Sequence, residues 1–117
     1  MKTTSAVLDG VDVITQCRDA GSVGVIAHGR RQPPAVVGDG AAHNHWADDV
    51  RARTQAELGS VVVGVGWGLG CRDGAVGPTV YVGRYGDIDA TVARLAAFAR
   101  REDLGVPFVV MIASAAA

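Results

Sequence analysis

The sequence has little of what marks a secreted, membrane-spanning or nucleic-acid-binding chain. It contains only two cysteines, and Lys2 is its one lysine. Two cysteines are too few for a small secreted domain that several disulfides stabilise, and they lack the CxxC spacing of a zinc or redox site. No apolar run reaches the roughly 20 residues that cross a bilayer, and Asp9, Gly10 and Asp12 interrupt the apolar stretch near the start. We therefore predict a cytoplasmic chain without a membrane partner.

Net charge is also nearly absent. The formal charge is −1 and the sequence pI is about 6.2, with arginines and carboxylates interspersed along the chain. A nucleic-acid-binding domain needs a basic patch, so we expect no nucleic-acid partner. A length of 117 residues with 49% hydrophobic content suffices for one core and not for two. We predict a single domain over residues 1–117, with flexible ends at 1–10 and 113–117.

Valine-rich segments alternate with two amphipathic helical patterns. The strand patterns lie at residues 11–16, 22–28, 60–71, 79–83 and 106–112. The first helix is predicted to begin at Asn44, with Asp48 and Asp49 in its first turn, and to end at Gly59. The second is predicted to follow Asp87 as its N-cap. Gly105 then precedes the last strand.

From residue 22 onward the predicted order is strand, helix, strand, strand, helix, strand, which is the ferredoxin-like order. In such a sandwich both helices cover one sheet face, and the other face meets water, a partner subunit or a ligand. The strand at 11–16 would extend this core. We predict an α+β, ferredoxin-like β-α-β-β-α-β sandwich with an additional N-terminal strand.

The strand at 60–71 presents two different faces. Alternation directs one set of side chains to one face: Val61, Val63, Val65, Trp67 and Leu69. The other face is a row of glycines, which would let a helix, a second subunit or a flat ligand approach the backbone. Because this row lacks GxGxxG spacing and leads into a turn, it does not indicate a dinucleotide site. The predicted ligand or partner face consists of Gly64, Gly66, Trp67, Gly68 and Tyr81.

Within residues 57–112, the end of a helix is followed by the run Val61–Gly66, a short turn and a strand at Thr79–Val82. A last strand begins at Gly105, Val106 and Pro107. This combination resembles a small α/β segment found beside trypsin-like serine protease domains in some bacterial proteins. The resemblance implies a non-catalytic accessory or folding-related role, and it assigns no active residues. It extends neither to residues 1–43 nor to a protease domain.

The densest cluster of ligand-type side chains lies at residues 43–49. If the chain approaches the helix in an extended form, His43 and His45 point the same way, and a first-turn carboxylate completes a three-ligand site. His43, His45 and Asp49 are therefore the candidate ligands of a divalent metal, the one cofactor that the sequence suggests. In the other interpretation, the aspartates are partners of the helix dipole and the histidines are solvated loop residues.

Nucleophilic chemistry has few candidates. His28 ends a predicted strand, and if its side chain faces Cys17 or Cys71, the pair resembles a Cys–His arrangement. The alternative is that both cysteines are small buried hydrophobic residues with free thiols. No serine lies in a GxSxG turn. The candidate catalytic residues are His28, His43, His45 and Cys71.

Two functions follow from these patterns. The first is a non-catalytic binding or interaction module that forms a homo-oligomer through its open sheet face, because apolar strand residues exceed the helix surface available to cover them. The alternative is a small enzyme or small-molecule binder with a His/Asp site, with or without a metal, around residues 43–49. The sequence does not decide whether the chain is an enzyme.

Overall fold

The computed structural model describes residues 5–8, 11–15, 21–71, 75–83 and 86–113. Its strands are β1 (Ser5–Leu8), β2 (Val11–Thr15), β3 (Val23–Ile26), β4 (Val62–Leu69), β5 (Val76–Val82) and β6 (Pro107–Ile112), and its helices are α1 (Ala41–Leu58) and α2 (Ile88–Arg101). A 3₁₀ turn at Gly59–Val61 leads into β4. Residues 5–8 pair with β2. No described helix is long and apolar enough to cross a membrane.

All six strands form one mixed sheet in the order β1-β2-β3-β6-β5-β4. Neighbouring strands are antiparallel except β5 and β6, which are parallel and joined by α2 as a crossover. The small α+β class is confirmed, and so is the added N-terminal strand, which is β2. The ferredoxin-like arrangement is not found. That arrangement places the first strand of the motif beside the third, whereas here β6 lies between β3 and β5.

The hydrophobic core lies on one face of the sheet, beneath both helices. Val50 of α1 and Leu95 of α2 belong to the same buried cluster as Val25, Val80 and Phe108 of the sheet. Full burial of one such side chain stabilises the folded chain by about 1.5–3 kcal/mol. Both helices therefore hold the same sheet face, as predicted.

The start of α2 agrees with the sequence prediction, and the start of α1 does not. Asp87 caps α2 by accepting a hydrogen bond from the Ala90 amide at 3.0 Å. Helix α1 begins at Ala41, after Gly40 with a φ of 75°, and no acidic residue lies in its first turn. The predicted start at Asn44 is wrong because the alanines at 41 and 42 favour helix and extend it backwards. Asp48 and Asp49 are therefore not first-turn partners of the helix dipole.

A β-bulge changes the faces of β4. The register with β5 shifts between Val62 and Gly64, so Val62 is buried and Val63 is 69% exposed. Val65 and Trp67 pack against the core, as the alternation predicts. The expectation that Val63 shares their face is wrong because the extra residue of the bulge reverses the alternation there.

The backbone after β3 and the backbone before β6 approach each other without side chains between them. The Gly29 amide donates to the Leu104 carbonyl at 2.8 Å, and the Gly105 amide donates to the Arg31 carbonyl at 2.8 Å. A Cβ atom at Gly29 would lie 2.2 Å from the Asp103 carbonyl carbon, and one at Gly105 would lie 2.3 Å from the Gly29 oxygen. Only glycine fits at these two positions.

We expect Gly29→Ala to lower the free energy of unfolding by about 1–3 kcal/mol, because the added methyl group must push two hydrogen-bonded backbones apart. Gly64→Ala is the matched control, since a Cβ there meets no atom within 4 Å; its effect should stay below about 1 kcal/mol. Urea denaturation followed by circular dichroism measures both. Equal stability of the two variants would contradict the close approach.

Candidate functional site

A cleft of about 460 Å³ opens at the end of the sheet where β3 ends and β6 begins. Its walls are residues 26–28, 32–36, 75–76 and 105–107, and His43 projects into it from α1. A backbone hydrogen bond from the Gly29 amide to the Leu104 carbonyl joins the two chain segments next to these walls. The cleft thus joins a strand end, a proline-containing loop and a helix.

His28, one of the wall residues, is hydrogen-bonded to Asp12, which is not itself among the described walls. His28 Nε2 lies 2.6 Å from Asp12 Oδ2, and the two side chains are 44% and 40% exposed. Asp12 pairs with Ile26 across β2 and β3, and His28 follows Ile26 by two residues. The register of β2 on β3 therefore places the Asp12 carboxylate beside the His28 imidazole.

His43 joins the proline-containing loop to α1. Its Nδ1 lies 2.8 Å from the Pro34 carbonyl oxygen, and only 8% of the residue is exposed. Its ring stands edge-on to Trp67 at a centroid distance of 5.9 Å, and Trp67 stands edge-on to Trp46 at 6.2 Å. Such edge-to-face pairs are favourable geometries for aromatic rings. His43 is thus a buried anchor that forms one wall of the cleft.

The partners of the two imidazoles fix where their protons lie. An ionised carboxylate and a carbonyl oxygen only accept hydrogen bonds, so His28 Nε2 and His43 Nδ1 are the donors. In the neutral ring the remaining nitrogen is then a hydrogen-bond acceptor. For His28 this leaves a lone pair on Nδ1, the arrangement of a general base with an orienting carboxylate.

The three predicted metal ligands are not brought together. Helical geometry turns successive residues by about 100°, so His43 and His45 point to different sides of α1, and His45 is exposed. Asp49 accepts a hydrogen bond from Arg53 Nε at 3.0 Å, and this bond raises the pKa of Arg53. Within the described ranges, no group of three or more His, Cys, Asp or Glu side chains could hold a metal ion.

Cys71 is disulfide-bonded, which corrects the expectation of free thiols at the cysteines. A disulfide sulfur has no thiolate with which to attack, so Cys71 is not a nucleophile in this state. Cys17 lies outside the described residues. The cytoplasmic location stays a prediction.

The predicted ligand or partner face divides into two. Gly64, Gly66, Gly68 and Tyr81 lie on the sheet face away from the helices, whereas Trp67 packs on the helix side. A Cβ atom at Gly66 would lie 3.5 Å from Tyr81 Cε2, and one at Gly68 would lie 3.7 Å from Thr79 Oγ1. These are ordinary contacts. At Gly70, the last glycine of the row, a Cβ atom would lie 2.6 Å from Pro107 Cβ. Close packing among the described residues therefore explains Gly70 and not Gly64, Gly66 or Gly68.

A second cavity, of about 510 Å³, lies near the start of α2. Three polar side chains in its walls have partners within the fold. Asp87 caps the helix, Thr91 Oγ1 donates to the Asp87 carbonyl at 2.8 Å, and Arg94 donates to the Glu57 carbonyl at 2.7 Å. These three side chains therefore hold the start of α2 and its contact with α1.

No protein-family model, curated protein or solved structure matches this chain. The resemblance of residues 57–112 to a segment beside bacterial trypsin-like proteases therefore stays a prediction.

The two proton positions can be observed directly. In a long-range ¹H–¹⁵N spectrum recorded where the rings are neutral, we expect the Nε2–H tautomer at His28 and the Nδ1–H tautomer at His43. Asp12→Ala should return His28 to a tautomer mixture like that of exposed His45 and leave His43 unchanged. An Nδ1–H form of His28 in the wild-type chain would contradict the assigned pair.

Proposed function

We propose that this chain is a non-catalytic binding module that self-associates, and that β4 is the strand through which a second copy joins the sheet. The observation that supports this most strongly is the position of β4 at the end of the strand order. No described strand pairs with its outer edge. From Gly64 to Gly68, an edge without a partner strand presents backbone N–H and C=O groups that are a template for another strand.

The composition of β4 favours such pairing. Residues 62–69 read VVGVGWGL, with no charged residue and no proline. Charges and prolines are the usual devices that keep edge strands apart. The bulge lies at the start of the strand, and the pairs from Gly64 to Leu69 follow in regular register. Most of the edge is therefore regular strand.

The proposed occupant is a second copy of this chain. Antiparallel pairing of one strand with its own copy obeys two-fold symmetry, so each copy presents the same surface to the other. Val63 and Tyr81 add apolar contact area, being 69% and 36% exposed. A formal charge of −1 gives little repulsion between copies.

The alternative function, a small enzyme or small-molecule binder around residues 43–49, has a narrower basis in the geometry. Only His43 of that predicted set lines the cleft, and His28 joins it there. His45 and Asp49 lie elsewhere on α1. The alternative therefore depends on the cleft and its His28–Asp12 pair.

Analytical ultracentrifugation tests self-association. We expect a reversible dimer whose dissociation constant rises at least about tenfold in Val63→Lys, because the symmetric pairing would bring two lysines into the interface. Val37→Lys is the matched control, since Val37 is 77% exposed in the loop before α1, and it should leave the dimer unchanged. A wild-type chain that is monomeric from micromolar to near-millimolar concentration would refute the proposal.

A further inference from the structure

We propose that the cleft beside His28 binds a small uncharged alcohol or phenol, whose hydroxyl group donates a hydrogen bond to His28 Nδ1. The cleft contains no residue of β4 among its described walls. This proposal is thus independent of the dimer proposed above.

The size and lining of the cleft define the class of ligand. A volume of about 460 Å³ lies within the range of about 300–1,000 Å³ that small-molecule sites occupy. The described walls are mainly proline, alanine, valine and isoleucine, with His28, Gln32 and His43 as the polar side chains. No Arg, Lys, Asp or Glu is among those described wall residues. A charged ligand would lose hydration there without an opposite charge, so an uncharged one fits.

The walls are formed without the ligand. Backbone hydrogen bonds of 2.8–3.0 Å join residues 27–31 to residues 103–106 on one side of the cleft. His43 holds the Pro34 carbonyl on the other side, and Pro33 and Pro34 have fixed φ angles. Binding therefore need not order this loop, which removes one of the main entropic costs of association.

The His28–Asp12 pair supplies the directional contact. Because the His28 and Asp12 side chains are 44% and 40% exposed, the hydrogen bond between them adds little to stability. In the neutral imidazole this bond keeps the ring proton on Nε2 and the lone pair on Nδ1. No other hydrogen-bond partner of His28 occurs among the described residues. A hydroxyl group supplies the donor that Nδ1 lacks, and the apolar walls accommodate the remainder of the ligand.

His43 has a different part in the site. Its Nδ1–H is already donated to Pro34, and its buried ring packs against Trp67. Replacing His43 would release the loop as well as alter the wall. His28 is therefore the residue at which ligand recognition can be tested without disturbing the cleft.

Phenol and toluene form a matched pair of probes, similar in size and differing in the hydroxyl group. We expect phenol to bind the full chain about tenfold more tightly than toluene, the effect of one hydrogen bond of about 1.4 kcal/mol. In ¹H–¹⁵N titrations the saturable shifts should lie at the amides of residues 26–28, 32, 35–36 and 105–106. Equal affinities, shifts elsewhere, or no saturable binding of phenol would overturn the proposal.

Variants assign the preference to His28. His28→Leu should bind phenol and toluene equally, whereas His45→Leu, which changes an exposed histidine outside the cleft, should keep the tenfold preference. Asp12→Ala provides a second variant, because it removes the carboxylate that orients the imidazole and returns the ring to a mixture of tautomers. This variant should weaken the preference while leaving His28 in place. An undiminished preference in His28→Leu would show that Nδ1 is not the recognition atom.

Discussion

The contact between Gly29 and Gly105 is the constraint on which the rest of the structure depends. At this contact two backbones share hydrogen bonds at a distance that no side chain permits. It continues the pairing of β6 with β3 beyond the ends of both strands. It also supports one wall of the cleft. The β3–β6 pairing and the candidate site thus share one physical requirement, the absence of a Cβ atom at Gly29 and Gly105.

Local structure could be read from the sequence, whereas long-range pairing could not. The N-cap at Asp87, the apolar stripe of α2 and the strands all follow from residue spacing within short windows. Strand order depends on pairings between strands that lie far apart along the chain, such as β3 with β6, and hydrophobic periodicity contains no information about these pairings. The bulge at Val62 and Gly64 was missed for a similar reason. It is visible only in the pairing with β5.

The candidate site was predictable in part. His28 and His43 were identified as chemical candidates, and both line the cleft. Asp12 was missed because its proximity to His28 arises from the register of β2 on β3. A polar residue between two strand valines is the only signal that the sequence offers for it. An extended chain before the helix would point His43 and His45 to the same side, with Asp49 nearby. Because α1 already begins at Ala41, these three side chains point to different sides of the helix.

The place of β6 in the sheet has a consequence for how the chain acquires its fold during synthesis. β6 is the last described strand to leave the ribosome, yet it joins the β1-β2-β3 meander to the β5-β4 pair. Until it emerges, the meander and that pair share no sheet hydrogen bonds. Pairings so distant in sequence carry a large loop-closure cost and form slowly. A nascent chain would thus contain two incomplete sheets, each with an unpaired edge. These edges stay exposed until residues 107–112 insert between them.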